Sequence, residues 1–121
     1  MARKTILIVD DNFFYQYLTT ELLQNEGFYV IAAYNGAQAL DELSKGELPY
    51  LIILDLNMPV MGGIELLDRI RKSPEYSKIN IVLSSNSPNV KEVSETYKTV
   101  NWFAKDIRPM VQFIKIYSSG Q

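Results

Sequence analysis

The sequence predicts an α/β protein whose doubly wound, parallel five-stranded sheet is flanked by five helices. Short apolar runs alternate along the chain with longer segments of helical period, which is typical of repeated strand-helix units. The apolar runs lack polar alternation, as strands covered on both faces do. Because connections between parallel strands are right-handed, this alternation places helices on both faces of the sheet.

The five predicted strands are rich in branched apolar residues, a composition typical of strands. The run Ile6-Leu7-Ile8-Val9, for example, contains no polar residue, and the run at 51–54 is of the same kind. The predicted strands span residues 6–9, 28–32, 51–54, 79–83 and 100–104.

The five predicted helices carry apolar residues three or four positions apart, and capping or helix-breaking residues bound them. Gly27 suits the end of the first helix, and Pro88 is acceptable in the first turn of the fourth. In the third helix the marker residues are expected to face inward. The markers are, helix by helix, Phe14, Leu18 and Leu22; Ala39, Leu40 and Leu43; Ile64, Leu67 and Ile70; Val90, Val93 and Tyr97; and Met110, Phe113, Ile114 and Tyr117.

Composition indicates one ordinary globular domain over residues 1–121. The chain is 47% hydrophobic and 21% charged, which allows a packed core. With 12 Lys and Arg against 14 Asp and Glu, the net charge of −2 gives no general attraction to nucleic acid or to an anionic membrane. We therefore expect no direct nucleic-acid or membrane partner.

The sequence contains neither cysteine nor histidine. Disulfides, thiolate metal sites, imidazole-dependent hydrolase triads and phosphohistidine donors are therefore excluded. The chain can receive a phosphoryl group from a histidine elsewhere but cannot carry one on its own histidine. Only four strongly apolar residues precede Asp10, too few for a signal peptide or a membrane span, so we expect a cytoplasmic location.

Polar side chains follow four of the predicted strands directly. Asp10 and Asp11 come after the first strand, Asp55 after the third, Ser84 after the fourth and Lys105 after the fifth. Ligands of doubly wound sheets bind beyond the carboxyl ends of the strands. These side chains are therefore expected to meet at one edge of the sheet.

Three converging carboxylates repel one another unless a cation lies between them. Asp10, Asp11 and Asp55 offer the hard oxygen ligands that Mg²⁺ takes, and one carboxylate can then act as a nucleophile toward phosphorus. Transfer to Asp55 would give an acyl phosphate. The Lys105 ammonium and the Ser84 hydroxyl would bind the phosphoryl oxygens.

Each of these residues alone has an ordinary structural interpretation. Asp11 or Asn12 can cap the first helix, Asp55 can start a turn, and Ser84 and Lys105 can be polar surface residues. The functional interpretation depends on their coincidence at four strand ends.

The motifs that follow these strands resemble those of the receiver domains of bacterial two-component response regulators, in particular single-domain, chemotaxis-regulator-like members. Residues 6–12 read ILIVDDN, residues 51–61 read LIILDLNMPVM, Ser84 stands where the family has Thr or Ser, and Lys105 closes the fifth strand. The match covers essentially the whole chain. It implies a flavodoxin-like fold with strand order 2-1-3-4-5.

The resemblance also implies a role for each residue of the constellation. Asp55 would be the phosphoacceptor, and Ser84 and Lys105 would bind the phosphoryl oxygens. The implied Mg²⁺ ligands are the side chains of Asp10, Asp11 and Asp55 and the backbone carbonyl of Asn57. The phosphoryl donor would be a sensor histidine kinase or a phosphotransfer protein.

In the family, phosphorylation shifts the face formed by helix four, strand five and helix five toward a form that binds a partner. Ser84 and Trp102 occupy the positions of the hydroxyl and the aromatic residue that are coupled in this switch. The resemblance thus implies a downstream protein partner and allows a phosphorylation-dependent homodimer.

Four features depart from the family pattern. One is Trp102, which is larger than the usual Tyr or Phe, so its inward rotation is expected to be hindered. Asp106 replaces the usual proline after Lys105, and because a non-proline cis bond costs about 3–4 kcal/mol, we expect a trans bond or a shifted lysine. Gly62 replaces a polar residue and is expected to loosen the loop after Asp55. The segment 97–100 lacks a glycine, so the end of helix four is expected to be shortened or irregular.

The sequence therefore predicts a stand-alone phosphorylation switch that signals by protein contact and is not an enzyme. The alternative is a pseudo-receiver, a protein-interaction module that acts without phosphorylation. An aspartyl-phosphate phosphatase of the haloacid dehalogenase kind would need a second acid two residues after the nucleophile, where this chain has Asn57.

Overall fold

The computed structural model describes residues 3–120, in which strands and helices alternate from the first strand to the last helix. None of the helices in this range is long and apolar enough to cross a bilayer. The strands are β1 (Thr5–Val9), β2 (Tyr29–Ala33), β3 (Leu51–Leu54), β4 (Asn80–Ser84) and β5 (Asn101–Phe103). The helices are α1 (Phe13–Asn25), α2 (Gly36–Leu43), α3 (Gly63–Lys72), α4 (Val90–Tyr97) and α5 (Ile107–Ser119).

All five strands are parallel and lie in the order β2-β1-β3-β4-β5. The predicted doubly wound, flavodoxin-like fold with order 2-1-3-4-5 is therefore confirmed. At the carboxyl end of the sheet, Val9 is paired with Leu54, Leu54 with Leu83, and Ser84 with Phe103. This register brings the residues that follow β1, β3, β4 and β5 to one edge.

The sheet separates two apolar layers, because successive side chains of a strand point to opposite faces. Leu7, Val9 and Ile52 lie on the face that packs against α2, α3 and α4. Ile6 and Ile8 lie on the other face, which packs against α1 and α5. Both faces of the central strands are buried, which explains their uninterrupted apolar sequences.

The buried face of α3 differs from the prediction at one position. Ile64, expected to face inward, is 41% exposed, and the buried side chains are Leu66, Leu67 and Ile70. The three-residue spacing from Ile64 to Leu67 fits a helix but does not select the side that meets the sheet.

Helix α1 buries a different stripe from the one that marks it in the sequence. Phe14 is 70% exposed, whereas Tyr15, Gln16, Thr19 and Leu23 are buried. The Gln16 side-chain amide donates to backbone carbonyls at the carboxyl ends of β1 and β2. Counting apolar residues cannot find this face, since half of it is polar.

Helix α4 ends on a left-handed residue, as many helices do, although lysine rather than glycine takes this position. Lys98 follows the helix with φ of +55°, a left-handed conformation that glycine adopts more readily. Its N–H still donates to the Ser94 carbonyl, and the Arg71 guanidinium donates to the carbonyls of Tyr97 and Lys98. The strained residue is therefore held by hydrogen bonds from two sides.

Candidate functional site

An acidic cluster lies at the carboxyl ends of β1 and β3. One carboxylate oxygen from each of Asp10, Asp11 and Asp55 falls within 4.8 Å of the others. Asp10 and Asp55 are 1% and 4% exposed, and Asp11 is exposed. Asp10 Oδ1 accepts the Asn12 N–H at 2.9 Å, and Asp55 Oδ1 accepts the Asn57 N–H at 3.4 Å. This set of hard oxygen donors fits a divalent cation such as Mg²⁺.

The cap of α1 is Asn12, not Asp11. Asn12 Oδ1 accepts the N–H of Tyr15 at 2.9 Å, the usual bond between a cap and the third residue of a helix. The alternative in which Asp11 serves as the cap is therefore wrong, and its carboxylate belongs to the acidic cluster.

Lys105 reaches into the acidic cluster from the end of β5. Its Nζ lies 2.7 Å from Asp10 Oδ2 and 3.2 Å from Asp55 Oδ2. The peptide bonds of residues 3–120 include no cis bond, so the bond after Lys105 is trans and the lysine still enters the site. Its backbone N–H donates to Asn86 Oδ1 at 3.0 Å, which fixes the start of the side chain.

The two charges of this ion pair affect each other's protonation. Burial raises the pKa of Asp10 by more than the hydrogen bond from Lys105 lowers it. Burial alone would lower the pKa of Lys105, but its bonds to Asp10 and Asp55 outweigh burial and raise it. The ammonium is therefore firmly charged and partly neutralises two carboxylates at once.

Ser84 lies buried at the end of β4, and its hydroxyl is hydrogen-bonded to the hydroxyl of Tyr15. The Tyr15 hydroxyl also lies 3.8 Å from Met110 Sδ, and the Lys105 ammonium lies 4.9 Å from the centre of the Tyr15 ring. Burial raises the pKa of Tyr15, so its hydroxyl keeps its proton.

Tyr15 and Asn86 were not among the site residues predicted from the sequence. A signal for Tyr15 was present, because Tyr15, Thr19 and Leu23 are four residues apart and form one face of α1. Asn86 carries no such signal, since it lies in a loop and acts through a single contact with the backbone of Lys105.

Trp102, the predicted switch residue, lies on the edge strand β5 and is 38% exposed. Its register partner is Leu83, whereas Ser84 is paired with Phe103. The coupling of Ser84 to Trp102 stays a prediction.

The loop after Asp55 packs tightly at one of its two glycines. A Cβ at Gly63 would lie 2.3 Å from the Asp55 carbonyl oxygen, so only glycine fits where α3 begins. A Cβ at Gly62 would meet the Leu56 carbonyl at 3.4 Å, an ordinary contact. The close approach at Gly63 fixes the start of α3 against the backbone of Asp55.

Comparison with known proteins finds the same architecture and related sequences. Residues 6–110 match the family model of the response regulator receiver domain. Sporulation initiation phosphotransferase F of Bacillus subtilis (strain 168) is 34% identical over 119 residues, covering 97% of this chain and 95% of that protein.

Two solved structures show how closely the fold is shared. The Mn(2+)-bound form of response regulator Rcp1 has a TM-score of 0.84 and 27% identity and covers 95% of this chain and 94% of its own. Chemotaxis protein CheY4 of Vibrio cholerae has a TM-score of 0.82 and 28% identity, with coverage of 97% and 98%. The chain belongs to the family of response regulator receiver domains.

Proposed function

We propose that this chain is a phosphoacceptor switch of a two-component phosphorelay, in which Asp55 accepts a phosphoryl group from a phosphohistidine. The observation that carries the proposal is the position of the buried Asp55 carboxylate, 3.2 Å from the Lys105 ammonium and beside Asp10 and Asp11. The lack of histidine in the sequence fits a chain that receives the group from a sensor histidine kinase or a phosphotransfer protein.

The transfer forms one bond and breaks one. A carboxylate oxygen of Asp55 attacks phosphorus, the new O–P bond forms, and the P–N bond to the donor imidazole breaks with its electron pair returning to nitrogen. The product is an acyl phosphate whose oxygens need positive partners. Lys105, held beside Asp55, and the buried hydroxyl of Ser84 are the groups that bind them.

The acidic cluster is proposed to hold Mg²⁺ through Asp10, Asp11, Asp55 and the backbone carbonyl of Asn57. When bound, the cation supplies positive charge that offsets repulsion between the carboxylates and the incoming phosphoryl oxygens. The Mn(2+)-bound form of the similar protein Rcp1 supports this assignment. In the structure Lys105 supplies part of that charge, because it contacts Asp10 and Asp55.

The proposed output is a protein contact that depends on phosphorylation. Ser84 would turn to the phosphoryl group, and the face of α4, β5 and α5, with Trp102 exposed on it, would shift toward a form that binds a downstream partner or a second copy of the chain. On this proposal the chain signals without turning over a substrate of its own.

The test uses Mg²⁺ with beryllofluoride, a stable mimic of the phosphoryl group. Trp102 fluorescence of the wild type is expected to change on addition, whereas Asp55→Asn should give no change. Asp41→Asn, which alters an exposed aspartate of α2, is the matched control and should behave as the wild type.

The pseudo-receiver alternative predicts a different pattern. Fluorescence would be insensitive to beryllofluoride in every variant, and binding of a partner would be the same for the wild type and Asp55→Ala. That pattern would exclude a phosphorylation switch.

A further inference from the structure

We propose that Tyr15 is a positioning residue that relays the phosphorylation state of Asp55 to α5, through Ser84 on one side and Met110 on the other. This inference rests on the proposed function, since it requires Ser84 to turn to a phosphoryl group. The Tyr15 hydroxyl bonds to Ser84 and lies 3.8 Å from Met110 Sδ, and all three side chains are buried.

The proton count of the three groups fixes the direction of these bonds. A methionine sulfur is a weak acceptor and has no proton, so the hydroxyl of Tyr15 donates to Met110. Tyr15 has only one proton, and its oxygen must therefore accept the proton of Ser84. In the unphosphorylated protein, Ser84 therefore donates to Tyr15 and Tyr15 donates to Met110.

Phosphorylation reverses the direction of the hydrogen bond between Ser84 and Tyr15. Ser84 also has a single proton, and once it donates to a phosphoryl oxygen, it no longer donates to the Tyr15 oxygen. The Tyr15 hydroxyl then rotates, so that it donates to the Ser84 oxygen and no longer donates to Met110. Two hydroxyl rotations suffice, and no proton leaves its oxygen.

Met110 is well placed to pass the change on. It lies in the first turn of α5, is fully buried, and packs with Val111 and Ile114 in the layer between α5 and the sheet. A buried side chain that loses its hydrogen-bond donor has a different preferred packing, because interiors are close-packed. The first turn of α5 is therefore the element that responds.

This path lies on a different face of the sheet from Trp102. Ser84 is two residues after Val82, which packs in the layer of α1 and α5, so the two side chains point the same way. Trp102 is paired with Leu83, which packs in the layer of α2, α3 and α4. A response at Met110 is therefore separable from a response at Trp102.

The test follows methionine methyl groups by NMR in the full chain labelled at methionine. Met58 and Met61 lie in the loop after Asp55 and report occupation of the site, while Met110 reports the relay. Tyr15→Phe keeps the ring and removes the hydroxyl. Tyr17→Phe is the matched control, because Tyr17 is on the same helix and is 65% exposed.

With Mg²⁺ and beryllofluoride, all three reporter resonances are expected to shift in the wild type and in Tyr17→Phe. In Tyr15→Phe the Met58 and Met61 shifts should persist, and most of the Met110 shift should be lost. Ser84→Ala, which interrupts the relay at its other end, should lose the Met110 shift as well.

The relay and the proposed function fail in different ways. An undiminished Met110 shift in Tyr15→Phe would overturn the relay and leave the phosphoacceptor function intact. If no methionine of the wild type responds to beryllofluoride, both the function and the relay are wrong.

Discussion

At the scale of single residues, the site is governed by a shortage of positive charge. Lys105 contacts two buried carboxylates, Asp10 and Asp55, and Asp11 adds a third negative charge nearby. One ammonium cannot balance three carboxylates. The same lysine that is proposed to stabilise the phosphoryl group therefore competes with a cation for the oxygens of Asp10 and Asp55.

Removing the Lys105 charge should strengthen Mg²⁺ binding. In Lys105→Met the carboxylates lose their competing ammonium, and we expect affinity to rise about fivefold, equivalent to roughly 1 kcal/mol for a partly exposed ion pair. Titration calorimetry measures this. Lys115→Met, which removes a lysine paired with Glu26, should bind as the wild type. Weaker binding by Lys105→Met would show that the lysine supports the cation site.

Asp10 makes stability depend on pH in the metal-free protein. Burial raises the pKa of its carboxyl above the usual 3.8, so the folded state holds this proton more tightly than the unfolded state. The resulting stability is present at acid pH and is lost as pH rises through the raised pKa.

Asp10→Asn has no such group. The free energy of unfolding is measured in urea with EDTA. From acid to neutral pH, the wild type should lose stability relative to Asp10→Asn. The pKa of Lys105 lies above this window. A difference that is constant with pH would contradict the effect of burial on Asp10.

At the scale of elements, the strands were predictable and the buried helix faces only partly so. Uninterrupted branched residues such as Ile6 to Val9 occur because both faces of β1 are covered, and this signal is local. The face of α1 depends instead on where a polar side chain finds partners. Gln16 is buried because carbonyls of β1 and β2 accept its amide protons, which requires knowing that these strands are neighbours.

The residues of the site divide in the same way, into those with a local sequence signal and those that depend on a distant contact. Asp10, Asp55, Ser84 and Lys105 were predictable because each lies at or just after the end of a strand and the parallel register aligns the strand ends. Tyr15 was missed because its contact with Ser84 joins α1 to β4 across 69 residues of sequence.

The end of α4 contains strain that one substitution should relieve. Lys98 has φ of +55°, and glycine adopts this conformation without the steric cost of a Cβ. We expect Lys98→Gly to raise the free energy of unfolding by about 0.5–1 kcal/mol. Lys98→Ala removes the same side chain but keeps the Cβ and should give no gain in urea unfolding. A loss of stability in Lys98→Gly would mean that the lysine side chain has a contact that outweighs the strain.

At the scale of the whole molecule, folding and cation binding should be linked. The three carboxylates come from β1 and β3 and meet only when the sheet forms, so Mg²⁺ is expected to bind the folded state alone. At a concentration 100 times the dissociation constant, the gain in stability would be about 2.7 kcal/mol. Thermal unfolding with Mg²⁺ and with EDTA measures it. Asp11→Asn should lose part of the gain, and an equal gain in that variant would place the cation elsewhere.

Whether Asp55 is the phosphoacceptor is decided by locating a transferred phosphoryl group. The chain is incubated with Mg²⁺ and a phosphohistidine-bearing donor protein, and its mass is then measured intact and after proteolysis. We expect the added mass of one phosphoryl group, confined to the peptide that contains Asp55 and absent from Asp55→Asn. An unmodified wild type under conditions in which the donor phosphorylates another receiver, or a phosphoryl group on any other residue, would contradict it.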